Sequence, residues 1–239
     1  MEMLNKEVID ATTKKFNEEL ESPVTFLFFT QEPSRLVLPE HLKGQECLYC
    51  KEVRQLLEEV SSLSDKINLT IYDFVGDKEK AAEYGIDKIP AIVVMGEEDF
   101  GIRFFGIPSG YEYASLIEAI IDASKGKTSL SQKTKDSLKA INKDIHIQVF
   151  VTPTCPYCPM AVRLGHQFAL ESPHIKADMV ESSEFPHLSQ KYNVFGVPKT
   201  IINEKTAVEG AVPEETFLEH VLKAFNPPEE KEKENQQKE

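Results

Sequence analysis

Tryptophan is absent from the 239 residues, and cysteine occurs only four times. All four cysteines fall in two Cys-x-x-Cys motifs, Cys47-Leu48-Tyr49-Cys50 and Cys155-Pro156-Tyr157-Cys158, which excludes a framework of scattered structural bridges. No apolar run is long enough to cross a bilayer, so no membrane helix is expected. Residues 1–21 lack a positive end followed by an apolar stretch and do not read as a secretory signal. Basic residues are outnumbered, 27 Lys and Arg against 40 Asp and Glu, and the net charge of −13 repels nucleic acid and anionic lipid alike. Neither is expected as a main partner. The compartment expected is the cytoplasm, where a paired thiol is more often catalytic or metal-binding than structural.

What the chain does have is a repeat. Cys47 precedes Pro90 by 43 positions, and Cys155 precedes Pro198 by the same distance. The offset of 108 also brings Tyr84-Gly85-Ile86 onto Tyr192-Asn193-Val194 and Ile89-Pro90 onto Val197-Pro198. Chemistry has been duplicated together with its scaffold. Three segments are expected: a first unit over 1–125, a second over 126–226, and a charged tail over 227–239 with too little apolar content to bury a core. Lys125 to Ser129 is the expected linker.

Hydrophobic spacing predicts the same element order in both units. Leu4 to Leu20 has helical period, Val24 to Phe29 reads as a buried strand, and Val53, Leu56, Leu57, Val60 and Leu63 form one helical stripe after the first dithiol. A strand from Leu69 to Phe74, a short helix from Lys78 to Tyr84, a hairpin over Ala91–Met95 and Gly101–Phe105, and a helix from Tyr113 to Ser124 follow. The second unit runs helix 131–142, strand 145–151, helix 159–170, strand 175–180, helix 186–192, strands 200–202 and 207–210, and helix 214–225. Thr30 to Glu46, with two prolines and a glycine, reads as an insertion long enough to fold over Cys47, since the second unit passes from Phe150 to Cys155 directly. The fold class is α/β: each unit reads β-α-β-α-β-β-α behind a leading helix, the order of a thioredoxin-like domain.

The motif carries redox chemistry when its first cysteine stands at a helix N-terminus. There the unpaired N–H groups and the positive helix end stabilise a thiolate. That thiolate attacks a disulfide, and the second sulfur resolves the mixed disulfide. Cys47 and Cys155 are the expected nucleophiles, Cys50 and Cys158 the resolvers. Ile89-Pro90 and Val197-Pro198 are expected to be cis peptides packed against the sulfurs, presenting a backbone edge to an extended substrate. Tyr49, Tyr157 and Glu46 are candidate tuning residues, with His41 and Glu46 a possible base or gate at the first site.

Blander readings exist for each feature. Two Cys-x-x-Cys knuckles can hold structural zinc, but such knuckles usually lie close together, and here 104 residues separate Cys50 from Cys155. Static disulfides across such tiny loops would stabilise little. Either proline alone can simply begin an edge strand. Either tyrosine can merely cover the rim of its site. His166 and His174 read as core or surface residues rather than ligands. No metal is expected.

On the two Cys-x-x-Cys motifs, the two Ile/Val-Pro loops, the length and the Cys-Pro-Tyr-Cys sequence of the second motif, the chain resembles the tandem thioredoxin-fold protein disulfide oxidoreductases, the glutaredoxin-like proteins of thermophilic archaea and bacteria. The likeness covers residues 1–226. It implies one continuous central mixed sheet shared by both units. It implies reduction, formation and isomerisation of protein disulfides, with the cysteines themselves in place of a cofactor. It also implies recharging by an NADPH-dependent flavoprotein disulfide reductase. Two features depart from thioredoxin: Val149 stands where a buried acid would precede the second dithiol, with His41 at the matching place in the first, and no tryptophan precedes either motif. Proton transfer must then use water or another group. An electron carrier between a flavoprotein reductase and a peroxidase, and a zinc-bridged binding module, are the competing readings.

Overall fold

The computed structural model describes residues 3–31 and 47–225. Residues 32–46 of the expected insertion, with His41 and Glu46, and the expected tail lie outside the described residues, whereas Thr30 belongs to the first strand.

The first half runs α1 (Lys6–Glu19), β1 (Val24–Thr30), α2 (Cys50–Ser61), β2 (Ile67–Asp73), α3 (Lys78–Glu83), β3 (Ala91–Met95), β4 (Ile102–Phe105) and α4 (Glu112–Lys125). The second half runs α5 (Gln132–Lys139), β5 (Ile145–Val151), α6 (Cys158–Leu170), β6 (Ile175–Glu181), α7 (Pro186–Lys191), β7 (Lys199–Ile202), β8 (Thr206–Glu209) and α8 (Glu214–Phe225). Local chemistry sets several boundaries. Asn5 caps α1 by accepting from the Val8 N–H at 3.0 Å, and Ser131 caps α5 through the Thr134 N–H at 3.3 Å. Helix α5 stops short of the 131–142 span expected from spacing. Its last turn closes with Ile141 N–H on the Leu138 carbonyl, and Ile141 is buried without being helical.

The eight strands form one mixed sheet in the order β2-β1-β3-β4-β6-β5-β7-β8. The halves join where β4 pairs in parallel with β6, Arg103 opposite Asp178 and Phe105 opposite Val180. Close approach at this seam needs a glycine. Gly101 has φ of +77°, and a Cβ there would lie 2.5 Å from the Ile175 carbonyl oxygen. One face of the sheet is covered by α1, α2, α4, α5, α6 and α8, whose apolar sides form a core running through both halves. The other face carries α3 and α7 over Leu27, Phe29, Phe105, Phe150 and Val180. Covering on both faces explains why β1 reads as a continuous apolar run.

Helices α4 and α6 pack side by side across the seam and run in the same direction. Arg163 of α6 reaches Glu118 at 2.9 Å and Asp122 at 3.3 Å, and Gln167 donates to Asp122 at 3.0 Å. His166 sits beneath this pair, its Nε2 donating to the Arg103 carbonyl at 3.2 Å and its ring edge-on to Phe104. Burial lowers its pKa to about 4, so it is a neutral core histidine. His174 is half-exposed and faces Asp144.

The strand directions place the two dithiols. β1 and β5 run the same way, so both motifs emerge at the same edge of the sheet. Three strands lie between β1 and β5, which separates the sites by about 19 Å at the usual strand spacing. Sheet twist turns one site by roughly 90° relative to the other.

Candidate active site

Each pair of cysteines is a disulfide with Cα atoms 5.5 Å apart, Cys47 with Cys50 and Cys155 with Cys158. The helices begin at the second cysteine of each pair, just ahead of the positions where apolar spacing starts them, and Tyr49 and Tyr157 are the capping residues. The first cysteine therefore lies beyond the helix end, in the path of its free N–H groups. At the second site this is explicit: the Cys158 N–H points at Cys155 Sγ over 3.1 Å. No such contact to Cys47 Sγ occurs among the described residues, and the Cys47 N–H instead meets Gln31 at 3.3 Å. Pro159 is accommodated because it stands in the first turn of α6, where its missing N–H has no intrahelical partner to lose.

Both X-Pro bonds, Ile89-Pro90 and Val197-Pro198, are cis. Cys155 Sγ lies 3.7 Å from the Val197 carbonyl oxygen, so the loop and the sulfur form one surface. The Pro90 and Pro198 carbonyls are used inward, accepting from Gly106 N–H at 3.0 Å and Gly210 N–H at 2.8 Å. That leaves Ile89 and Val197, both half-buried, at the rim. Within each pair the first cysteine is the more exposed: Cys158 is fully buried where Cys155 keeps 8%, and Cys50 is buried where Cys47 is half-exposed. The rings of Tyr49 and Tyr157 face solvent, at 37% and 65% exposure.

Two buried acids went unnoticed in the sequence, and each comes from the half opposite the dithiol it adjoins. Glu112, at the start of α4, is 1% exposed, accepts from Ser115 Oγ at 2.6 Å, and has its other oxygen unpartnered among the described residues. It lies on the face shared with Ser115, Ala119 and Asp122, which packs against α6. The parallel register that pairs Glu118 with Arg163 and Asp122 with Gln167 puts Glu112 level with the Cys155–Cys158 turn. Tyr111 N–H donates to the Pro153 carbonyl at 2.9 Å, tying the start of α4 to the approach segment of that dithiol. Burial pushes the Glu112 pKa up to about 7. A buried acid therefore stands level with the second dithiol, supplied by a helix of the other half, where the strand position carries Val149.

Glu184 follows β6 and mirrors this arrangement at the first dithiol. Its Oε1 accepts from Ile107 N–H at 2.6 Å, one residue beyond the Gly106 that holds Pro90. Burial, with the charges of Glu181 and of Glu52 in the first turn of α2, pushes its pKa up to about 7. Gly106 is required here, with φ of +92° and Glu184 Oε1 only 2.7 Å from where a Cβ would stand. The one signal for Glu112 in the sequence is its place on a stripe of small and polar residues within an otherwise apolar helix.

A family model of the thioredoxin domain matches residues 145–223. The whole arrangement superposes on a protein disulfide oxidoreductase from Aeropyrum pernix with a TM-score of 0.83 and 28% identity, covering 93% of this chain and 94% of that one. It also superposes on the N-terminal domain of the alkyl hydroperoxide reductase AhpF from Enterococcus faecalis, with a TM-score of 0.80 and 27% identity, over 91% of this chain and 99% of that one. The chain is a tandem thioredoxin fold. The corresponding alkyl hydroperoxide reductase protein of Staphylococcus aureus is 29% identical over 155 residues, 64% of this chain and 28% of that protein. The chain spans less than a third of the length of the curated relatives it matches. The tandem thioredoxin fold accordingly bears two disulfides of the thiol–disulfide oxidoreductase type. No helix among the described residues is long and apolar enough to cross a membrane.

A zinc ion bridging the two motifs does not fit. Sulfur ligands lie about 2.3 Å from zinc, whereas the motifs stand roughly 19 Å apart along the sheet edge. The described residues contain no cluster of three or more His, Cys, Asp or Glu arranged to hold a metal.

Proposed function

We propose that the protein is a protein-disulfide oxidoreductase and isomerase of two units, 1–125 and 126–226, with one dithiol in each. The observation that carries this reading is the meeting of Cys155 Sγ with a helix N-terminal N–H on one side and the cis-proline loop on the other. In the reduced state the Cys155 thiolate attacks a substrate disulfide, forming a mixed disulfide and releasing one substrate thiolate. Cys158 loses its proton and attacks Cys155 Sγ, releasing the second substrate thiolate and leaving the enzyme disulfide. Glu112, ionised above about pH 7, takes the Cys158 proton. Cys47 and Cys50 repeat the sequence, with Ile89, Pro90, Val197 and Pro198 holding the substrate backbone and Tyr49, Tyr157 and Glu46 tuning the sulfurs. Two electrons pass to the substrate in each cycle, and an NADPH-dependent flavoprotein disulfide reductase restores them. The cytoplasm is the compartment that supplies such a donor.

A second reading is favoured by the likeness to AhpF: an electron carrier between a flavoprotein reductase and a peroxidase. Refolding of scrambled ribonuclease separates the two. An isomerase restores ribonuclease activity at a rate proportional to the protein added, in a glutathione buffer. A dedicated carrier leaves the rate at that of the buffer alone.

A further inference from the structure

Phe195 is 95% exposed, the least covered of the large apolar side chains among the described residues. It stands in the loop between α7 and β7, three residues before cis Pro198, and the Val197 carbonyl on that loop touches Cys155 Sγ. Gly196 beside it has open space where a Cβ would be. Behind the ring lies a groove of about 420 Å³ lined by Ser182, Ser189, Gln190, Asn193 and Val194 among others, none of them charged. The groove thus holds no charge although the chain carries a net −13. The first site differs at the equivalent place. The offset of 108 puts Asp87 opposite Phe195 and Lys88 opposite Gly196, and these two form an ion pair at 2.6 Å.

We propose that Phe195 and the groove behind it form a subsite of the second dithiol for a large apolar side chain of an unfolded polypeptide, and that the first dithiol lacks it. The proposal rests on the thiol–disulfide exchange reading above. Its occupant is an extended segment, because the cis-proline loop offers a backbone edge and Phe195, two residues from Val197 on the same loop, borders the groove. Three extended residues span about 10 Å, so the apolar side chain recognised lies two to three positions from the cysteine under attack. Phe195 contributes by closing over that side chain, and both surfaces leave water together. The two sites then divide their substrates. The second prefers cysteines in apolar sequence, the segments a folded protein buries, and the first tolerates charge.

The test uses the full chain with Cys47→Ser, so that only the second dithiol turns over, and compares it with the same chain carrying Phe195→Ser. Three substrates are reduced under a dithiothreitol supply: 2-hydroxyethyl disulfide and two peptide disulfides that differ only in Leu or Asp two residues from the cysteine. Phe195→Ser is expected to lower kcat/KM for the Leu peptide about tenfold, chiefly through KM. It should leave the Asp peptide and 2-hydroxyethyl disulfide within about twofold. Conversely, Asp87→Phe in a Cys155→Ser chain should raise the preference of the first site for the Leu peptide. Unchanged Leu-peptide kinetics, or equal losses on all three substrates, would overturn the subsite. Failure of the Cys47→Ser chain to reduce even 2-hydroxyethyl disulfide would overturn the exchange reading itself.

Discussion

Replacing Cys155 by serine is expected to lower insulin reduction by more than about 100-fold, whereas Cys47→Ser lowers it less than about threefold. The asymmetry is electrostatic. At the second site the Cys158 N–H reaches Cys155 Sγ, and the first turn of α6 contains no acid. Glu184 at the first site and Glu112 at the second share a pKa raised to about 7 and offset each other; beyond them, Glu46 precedes the first nucleophile in sequence and Glu52 occupies the first turn of α2. Both of these carboxylates disfavour a thiolate at Cys47 and oppose the positive end of the helix. Exposure among the described residues does not favour the second site, since Cys47 is the more exposed of the two in the disulfide form. Any covering of Cys47 by 32–46 lies outside the described residues. Insulin turbidity at matched enzyme and donor concentrations measures the effect, and equal losses in the two single variants would contradict it.

Glu112→Gln is expected to slow the second site about 100-fold at pH 8, the low end of the range for losing a general base. The same change should make the protein more stable at that pH. A carboxyl whose folded pKa is raised from 4.5 to about 7 binds its proton more tightly in the folded chain than in the unfolded one. Its stabilising contribution is complete below about pH 4.5 and lost as pH rises through 7. Ionised Glu112 therefore costs the native protein up to about 3 kcal/mol at pH 8, at ~1.4 kcal/mol per unit. Glutamine has no such cost and still accepts from Ser115. Urea midpoints should coincide for variant and parent at pH 4 and favour the variant at pH 8, while its rate loses the rise near pH 7. Lower stability together with lower activity would mark Glu112 as a packing residue only.

The sequence carried the repeated parts of this protein well and the unique parts poorly. Both dithiols, both cis-proline loops and the strands from Val24 to Met95 were legible because each depends on nearby residues, an apolar run or a fixed spacing. The single sheet followed from the resemblance; residue pattern alone does not say that β4 pairs with β6. That pairing joins residues some 75 positions apart through backbone hydrogen bonds, which leave no side-chain signature. Glu112 gave only the weak signal of its stripe. An acid in the first turn of a helix ordinarily faces water and offsets the helix dipole. Only the packing of α4 on a helix of the other half buries it level with a dithiol. Phe195 reads as one more apolar residue in a loop until its exposure is known.

In the proposed mechanism the first cysteine of each motif attacks and the second resolves, an order that trapping the mixed disulfide reveals. Reduced Cys158→Ser and Cys50→Ser chains, mixed with insulin and quenched in acid, are digested without reductant and read by mass spectrometry. The account predicts a substrate peptide disulfide-linked to Cys155 in the first variant and to Cys47 in the second, each released by dithiothreitol. Absence of any adduct in both variants, or adducts on Cys158 and Cys50 in the matching Cys155→Ser and Cys47→Ser chains, would contradict it.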